Sequence, residues 1–178
     1  MGLRHTLERR RMRREMRREM QQLADQLIDP IRVTLPADPE VLFEALVASV
    51  NQWRGREVIV RRLPFPPHTA TGVWLERATH DNVIVEERAV DWHQIVILAH
   101  EVWHMHQGDA ANLHDLAAAA RTDFAEAAER DADEFGMLVG RRLRAWLEAA
   151  DNSALGGTDP SVAGRIAAAL NYRGTQPW

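Results

Sequence analysis

The sequence predicts an α+β fold, mostly helical, with a small three-stranded antiparallel sheet packed on one buried helix. Three observations carry this expectation. Apolar stripes of helical period run through residues 4–28, 38–53 and 121–148. Three short β-branched runs cluster within residues 57–87. The segment Asp91 to Gln107, DWHQIVILAHEVWHMHQ, is apolar nearly all round, as expected of a helix inside a core.

The first stripe, Leu7, Met12, Met16, Met20, Leu23 and Leu27, recurs at spacings of mostly four and three and stops at Asp29-Pro30. Asp38-Pro39-Glu40 then starts a second helix, with Asp as N-cap and Pro in the first turn, ending near Trp53 ahead of the turn Arg54-Gly55-Arg56. Three strands follow at 57–63, 71–76 and 82–87. The Pro-rich residues 64–68 separate the first two, and the last two read as a hairpin. After Asp91 to Gln107, Gly108-Asp109 ends the helical pattern, and residues 110–120 form a short Ala-rich helix or ordered loop. A long helix spans 121–148, a Gly/Ser loop covers 152–158, and Asp159-Pro160 caps a last helix to about Leu170.

With 178 residues the chain suits one domain with a real core. It divides into a basic amphipathic N-terminal helix (1–30), a body (31–150) and a C-terminal helix and tail (151–178). There is no Cys, so disulfides and thiolate metal sites are excluded and any metal must be held by His and carboxylate. No run of 18 apolar residues exists, and the Arg-rich start lacks the apolar stretch of a signal peptide. A cytoplasmic protein without membrane contact is expected. The net charge of −4 is unevenly spread, with residues 1–20 at +5 and the remainder at −9. That Arg-rich start suits either a solvated helix face or an anionic partner, nucleic acid or acidic protein.

Within the buried segment lies His100-Glu101-Val102-Trp103-His104. Residues four apart share a helix face, so His100 and His104 can present two imidazoles to one ion with Glu101 beside them. A shuffled chain of this composition would contain HExxH with a probability of about 0.02, so context must decide. A catalytic zinc takes three protein ligands and leaves one position open. Gln107 and Ala110 occupy the positions where an extended HExxHxxGxxH motif would need Gly and His, and His106 points elsewhere on the helix. The long helix offers Glu129-Arg130-Asp131-Ala132-Asp133-Glu134-Phe135-Gly136. Glu129 is the preferred third ligand, with Asp133 holding a ligand histidine in its tautomer. Asp123 and Glu126 are rival ligands, and Glu129 and Asp133 also read as ordinary surface acids.

HEVWH followed 25 residues past His104 by ERDADEFG resembles the ImmA/IrrE-type metallopeptidase domain, whose second motif has the form ExxAxxFA. The resemblance covers residues 35–145. It implies a zincin-like fold in which His100, His104 and Glu129 bind zinc and Glu101 is the catalytic base. Two positions depart from the family pattern: Trp103 replaces a small residue, and Gly136 stands where Ala is common.

The expected chemistry is metal-assisted hydrolysis, with Zn2+ activating water and Glu101 moving its proton to the leaving amine. His114 is the first candidate for stabilising the oxyanion. The expected substrate is a peptide bond in a protein partner, such as a transcriptional repressor, supplied by a separate chain and aligned on a strand within 71–87. Two other readings use the same residues. One is a zinc-containing module that docks a protein or DNA, and the other is a zinc hydrolase acting on a small molecule.

Overall fold

A computed structural model describes residues 2–35, 37–67, 69–108 and 123–155. Its elements are α1 (Gly2–Ile28), α2 (Pro39–Arg54), β1 (Val58–Leu63), β2 (Gly72–Glu76), β3 (Asp81–Glu86), α3 (Asp91–Gln107) and α4 (Asp123–Leu155). The last helix and tail expected after residue 155, and the segment with His114, lie outside the described residues. Among the described residues no helix is long and apolar enough to cross a membrane.

Local chemistry sets the helix ends. The Asp38 carboxylate accepts from Glu40 N at 2.8 Å, satisfying one orphan donor of the first turn of α2, and Pro39 needs none. Gly55 (φ 69°) and Gly108 (φ 79°) end α2 and α3 in the left-handed conformation, where a side chain would be strained. Helix α4 runs to Leu155, past Asn152 where the sequence suggests a loop.

The sheet order is β1-β3-β2. Strand β3 pairs in parallel with β1 (Val58 opposite Asp81) and antiparallel with β2 (Trp74 opposite Val83). The sheet is therefore mixed, which corrects the antiparallel expectation. The hairpin between β2 and β3 forms as its short polar connection suggests. The connection from β1 to β2 does not make a hairpin, because Pro64, Pro66 and Pro67 supply no backbone N–H for a tight turn. Instead it carries the chain past the width of one strand, and β3 returns into the gap beside β1.

This loop is clamped to the end of β3. Glu86 Oε2 accepts from Phe65 N (2.9 Å) and Arg88 Nη2 (2.9 Å), while Oε1 accepts from Arg88 N (3.0 Å) and Nε (2.9 Å). Arg88 also donates to the Phe65 carbonyl. The clamp holds the Glu86 carboxyl down at about 2, through Arg88 first and Phe65 N–H with it.

One sheet face, bearing Val58, Trp74, Val83 and Val85, is buried with α2 and α3. Helix α3 is the centre of the core: Ile95, Leu98, Ala99, Val102, Trp103 and Met105 are each almost wholly shielded from solvent. Each large apolar side chain so buried contributes about 1.5–3 kcal/mol. Trp103, the bulky residue inside HEVWH, stacks obliquely on Phe135 of α4 with ring centroids 5.1 Å apart. Its volume therefore fills the contact between α3 and α4.

The C-terminal half of α1 docks on the body through Met20, Leu23, Ala24, Leu27 and Ile28. Ser49 Oγ donates to Leu27 O at 2.6 Å, Arg142 Nη1 to Asp25 at 2.6 Å, and Glu19 meets His106 Nε2 at 2.8 Å. The stripe seen in the sequence is a docking stripe over this half.

Candidate metal centre

Helices α3 and α4 cross at unusually close range, and two glycines allow it. A Cβ on Gly136 would sit 2.7 Å from Val96 O, and one on Gly140 would sit 2.5 Å from Val96 Cγ2. Gly136 thus occupies a position where even the smaller change to Ala meets the backbone of α3. The Gly136–Gly140 spacing, one helix turn, is visible in the sequence as a small-residue pair but carries no chemistry to draw attention.

The crossing brings His100 and His104 of α3 against Glu129 of α4. His100 Nε2 and His104 Nε2 are 3.1 Å apart. Glu129 places Oε2 3.3 Å from His100 Nε2 and Oε1 3.4 Å from His104 Nε2. Donor atoms 2.0–2.1 Å from a tetrahedral zinc lie about 3.3 Å from one another, close to the separation of the two imidazole nitrogens, and Glu129 brings one carboxylate oxygen up to each of them. Among the described residues these three form the group able to hold a metal ion, each with a donor atom within 4.8 Å of the others. The rival Glu126 is exposed and outside that group. The side chain of Asp123 is outside the described residues, as is His114.

Asp133, one turn beyond Glu129, meets the other nitrogen of His100: Oδ1 lies 3.0 Å from Nδ1. That contact directs His100 Nε2 towards the shared point, the usual device for orienting a metal-ligating imidazole. Both histidines are half-buried, whereas Glu129 and Asp133 are exposed, so the site opens on the α4 side. Burial works against a charged His100, but its hydrogen bond with Glu129 and the charges of Glu101, Glu129 and Asp133 outweigh it and raise its pKa. Glu129 is held below the usual carboxylate range, chiefly by the same hydrogen bond.

Glu101 lies on the β2 side of the group, close enough for its charge to act on His100 and Glu129, and only 7% of it is exposed. Burial pushes its carboxyl up to about 7, against the pull of His100 and of a hydrogen bond from the Trp74 backbone N–H. That N–H is free to reach it because of strand alternation. Glu86 N donates to Thr71 O (2.8 Å) and Arg77 N to His80 O (2.9 Å), so the odd-numbered residues of β2 turn towards β3. Gly72, Trp74 and Glu76 turn their backbone groups to the opposite edge, beside α3. At Gly72 the approach is closest: an added Cβ would lie 2.6 Å from both Glu101 Oε1 and Ile97 Cγ2.

The far side of Trp74 is fixed by Asp81. This wholly buried carboxylate accepts from Trp74 Nε1 (3.1 Å) and Arg54 Nε (2.8 Å) and lies 3.4 Å from Arg56 Nε. Gly72, Trp74 and Asp81 surround or support Glu101, and sequence reasoning missed them. Only the glycine at the start of TGVWLE offered a signal, since a glycine in a strand often marks a close backbone approach.

No known protein family, curated protein sequence or solved structure matches the chain.

Proposed function

We propose that this chain is a zinc-dependent metallopeptidase, gluzincin-like in its HExxH-plus-Glu ligand set and zincin-like in fold, that hydrolyses a peptide bond in a regulatory protein partner. The observation that carries this reading is the meeting of His100, His104 and Glu129, whose donor atoms lie close enough to share one ion, with a buried Glu101 beside them. The resemblance of HEVWH and ERDADEFG to the ImmA/IrrE pair of motifs supports the same assignment.

The residues present fit zinc: two neutral imidazoles and one carboxylate are the ligand chemistry of catalytic zinc sites. When bound there, zinc supplies a Lewis acid for the scissile carbonyl and lowers the pKa of water. Asp133 keeps His100 in the orientation that offers Nε2. Glu101, buried between α3 and β2 beside the ligand set, would take a proton from the attacking water and hand it to the leaving amine. The Trp74 N–H is engaged by Glu101, so an extended peptide would pair with the remaining outward backbone groups of β2, at Gly72 and Glu76.

Metal analysis of the wild type beside His104→Ala and Glu129→Ala, with cleavage of a peptide library followed by mass spectrometry, tests the reading. Wild type is expected to hold about one zinc per chain and to cleave. Glu101→Gln is expected to keep zinc and lose cleavage. Full cleavage by Glu101→Gln, or unchanged zinc in both ligand variants, would overturn it.

A further inference from the structure

One strongly charged surface among the described residues takes no part in the candidate metal centre. Helix α1 carries seven arginines between Arg9 and Arg18, and every side chain from Glu8 to Glu15 is exposed. At 100° per residue six of these, all but Arg11, form two rows with a four-residue step, each step rising about 6 Å. Arg9, Arg13 and Arg17 make one row, and Arg10, Arg14 and Arg18 the other, about 100° further round.

The rows differ in what they face. Arg17 Nε lies 3.4 Å from Glu134 Oε1 on α4, and the Arg13 charge acts on Asp131 of the same helix. Arg10, Arg14 and Arg18 are exposed and form no ion pair among the described residues. The glutamates of this stretch are segregated from them. Glu8, Glu15 and Glu19 fall in a separate sector about 120° away, where Glu15 pairs with Arg11 (2.8 Å) and Glu19 with His106. The docking stripe of Met20, Leu23, Ala24 and Leu27 holds the helix between the two sectors. The cationic row is thus presented outward on an anchored helix, although the whole chain carries a net charge of −4.

We propose that Arg10, Arg14 and Arg18 form a docking surface for the phosphodiester backbone of double-stranded nucleic acid. A duplex carries one negative charge per about 1.7 Å of axis, and each phosphate neutralised by an arginine releases condensed counterions. A row of unpaired guanidiniums rising about 6 Å per step is suited to successive contacts of this kind. A lipid surface fits less well, because an interfacial helix needs a broad apolar face and Met12 is the one apolar residue between Glu8 and Glu15. Phosphate contacts of this kind fix position on the duplex and carry no sequence information. Glu129 and Asp133 face α3, whereas Asp131 and Glu134 face α1, so the surface is separate from the metal centre.

Fluorescence anisotropy of a short labelled DNA duplex with the full chain, between about 50 mM and 200 mM salt, tests this. The wild type is expected to bind at the lower salt and to weaken steeply at the higher. The triple variant Arg10→Gln, Arg14→Gln, Arg18→Gln should bind at least about tenfold more weakly, with the slope of log K against log salt flatter by about 2.7. Its helical circular dichroism and thermal midpoint should be unchanged, because the three side chains are exposed. A control variant, Arg61→Gln with Arg77→Gln, removes charge elsewhere and should bind like the wild type. Absence of duplex binding at low salt, equal binding by wild type and triple variant, an equal loss in the control, or tighter binding to phosphatidylserine-rich vesicles would each overturn the proposal.

Discussion

Gly72 and Glu101 are in contact across the gap between β2 and α3, so close that a Cβ at residue 72 would fall 2.6 Å from Glu101 Oε1. Ile97 Cγ2 would be equally near that added atom, and Glu101 is itself buried, so the space between β2 and α3 is already filled. The β2 backbone and the proposed catalytic base therefore set one another's positions.

Gly72→Ala is accordingly expected to displace either the strand or the carboxylate. Overpacking of this kind destabilises by about 1–3 kcal/mol. At about 2–4 °C per kcal/mol the thermal midpoint should fall by several degrees. Zinc content should be retained, since the three ligands lie elsewhere, while peptide cleavage should drop far more than stability does. Calorimetry, metal analysis and turnover on the same preparation separate the three effects; wild-type turnover would show that Glu101 does not depend on this contact.

The two α4 glycines should respond differently to the same substitution. Gly136→Ala meets the Val96 carbonyl oxygen at 2.7 Å, a backbone atom that moves only if α3 moves, whereas Gly140→Ala meets the tip of the Val96 side chain. In both cases Ala gains about 1 kcal/mol of helix propensity over Gly. Gly136→Ala is expected to be destabilising on balance and to weaken zinc binding, by spreading His100 and His104 from Glu129. Gly140→Ala should change zinc affinity little. Competition titration with a zinc chelator, alongside thermal unfolding, distinguishes them.

Much of this arrangement is visible in the sequence because it depends on helical periodicity. His100 and His104 share a face by spacing alone, and Glu129 and Asp133 lie one turn apart on a helix whose apolar stripe includes Phe135 and Val139. The sheet was less legible. Parallel or antiparallel pairing of β1 depends on where an eight-residue loop delivers the chain, and Pro64, Pro66 and Pro67 exclude a tight hairpin without naming the alternative. The supports of Glu101 were not legible either. The role of Trp74 comes from a backbone N–H, which no residue type announces, and Asp81 acts through a contact that exists only once β2 and β3 pair.

Asp133→Asn isolates the orienting contact to His100 Nδ1. The amide keeps the shape but loses the charge, and loss of such partners typically lowers metal affinity about 10–100-fold. Asp133 is exposed, so folding stability should change little. A chelator competition titration that returns wild-type affinity would mean that His100 is held in place by packing alone.

The loop clamp yields a prediction with a defined pH window. Arg88 and its partners depress the Glu86 carboxyl from an ordinary 4.5 to about 2 in the folded chain. A carboxyl depressed on folding adds stability above its unfolded value, and that contribution is lost as pH falls through the folded one. The Glu86 contribution should therefore be complete above about pH 4.5 and gone by about pH 2. In Arg88→Gln the carboxyl should titrate back towards 4.5, which NMR of the side-chain carboxyl reads directly. Denaturant midpoints of wild type and Arg88→Gln should differ at neutral pH and converge as pH approaches 2, with the gap narrowing in high salt because the pair is partly open to solvent. A gap that persists undiminished at pH 2 would assign the effect of Arg88 to its hydrogen bond with the Phe65 carbonyl, which does not titrate.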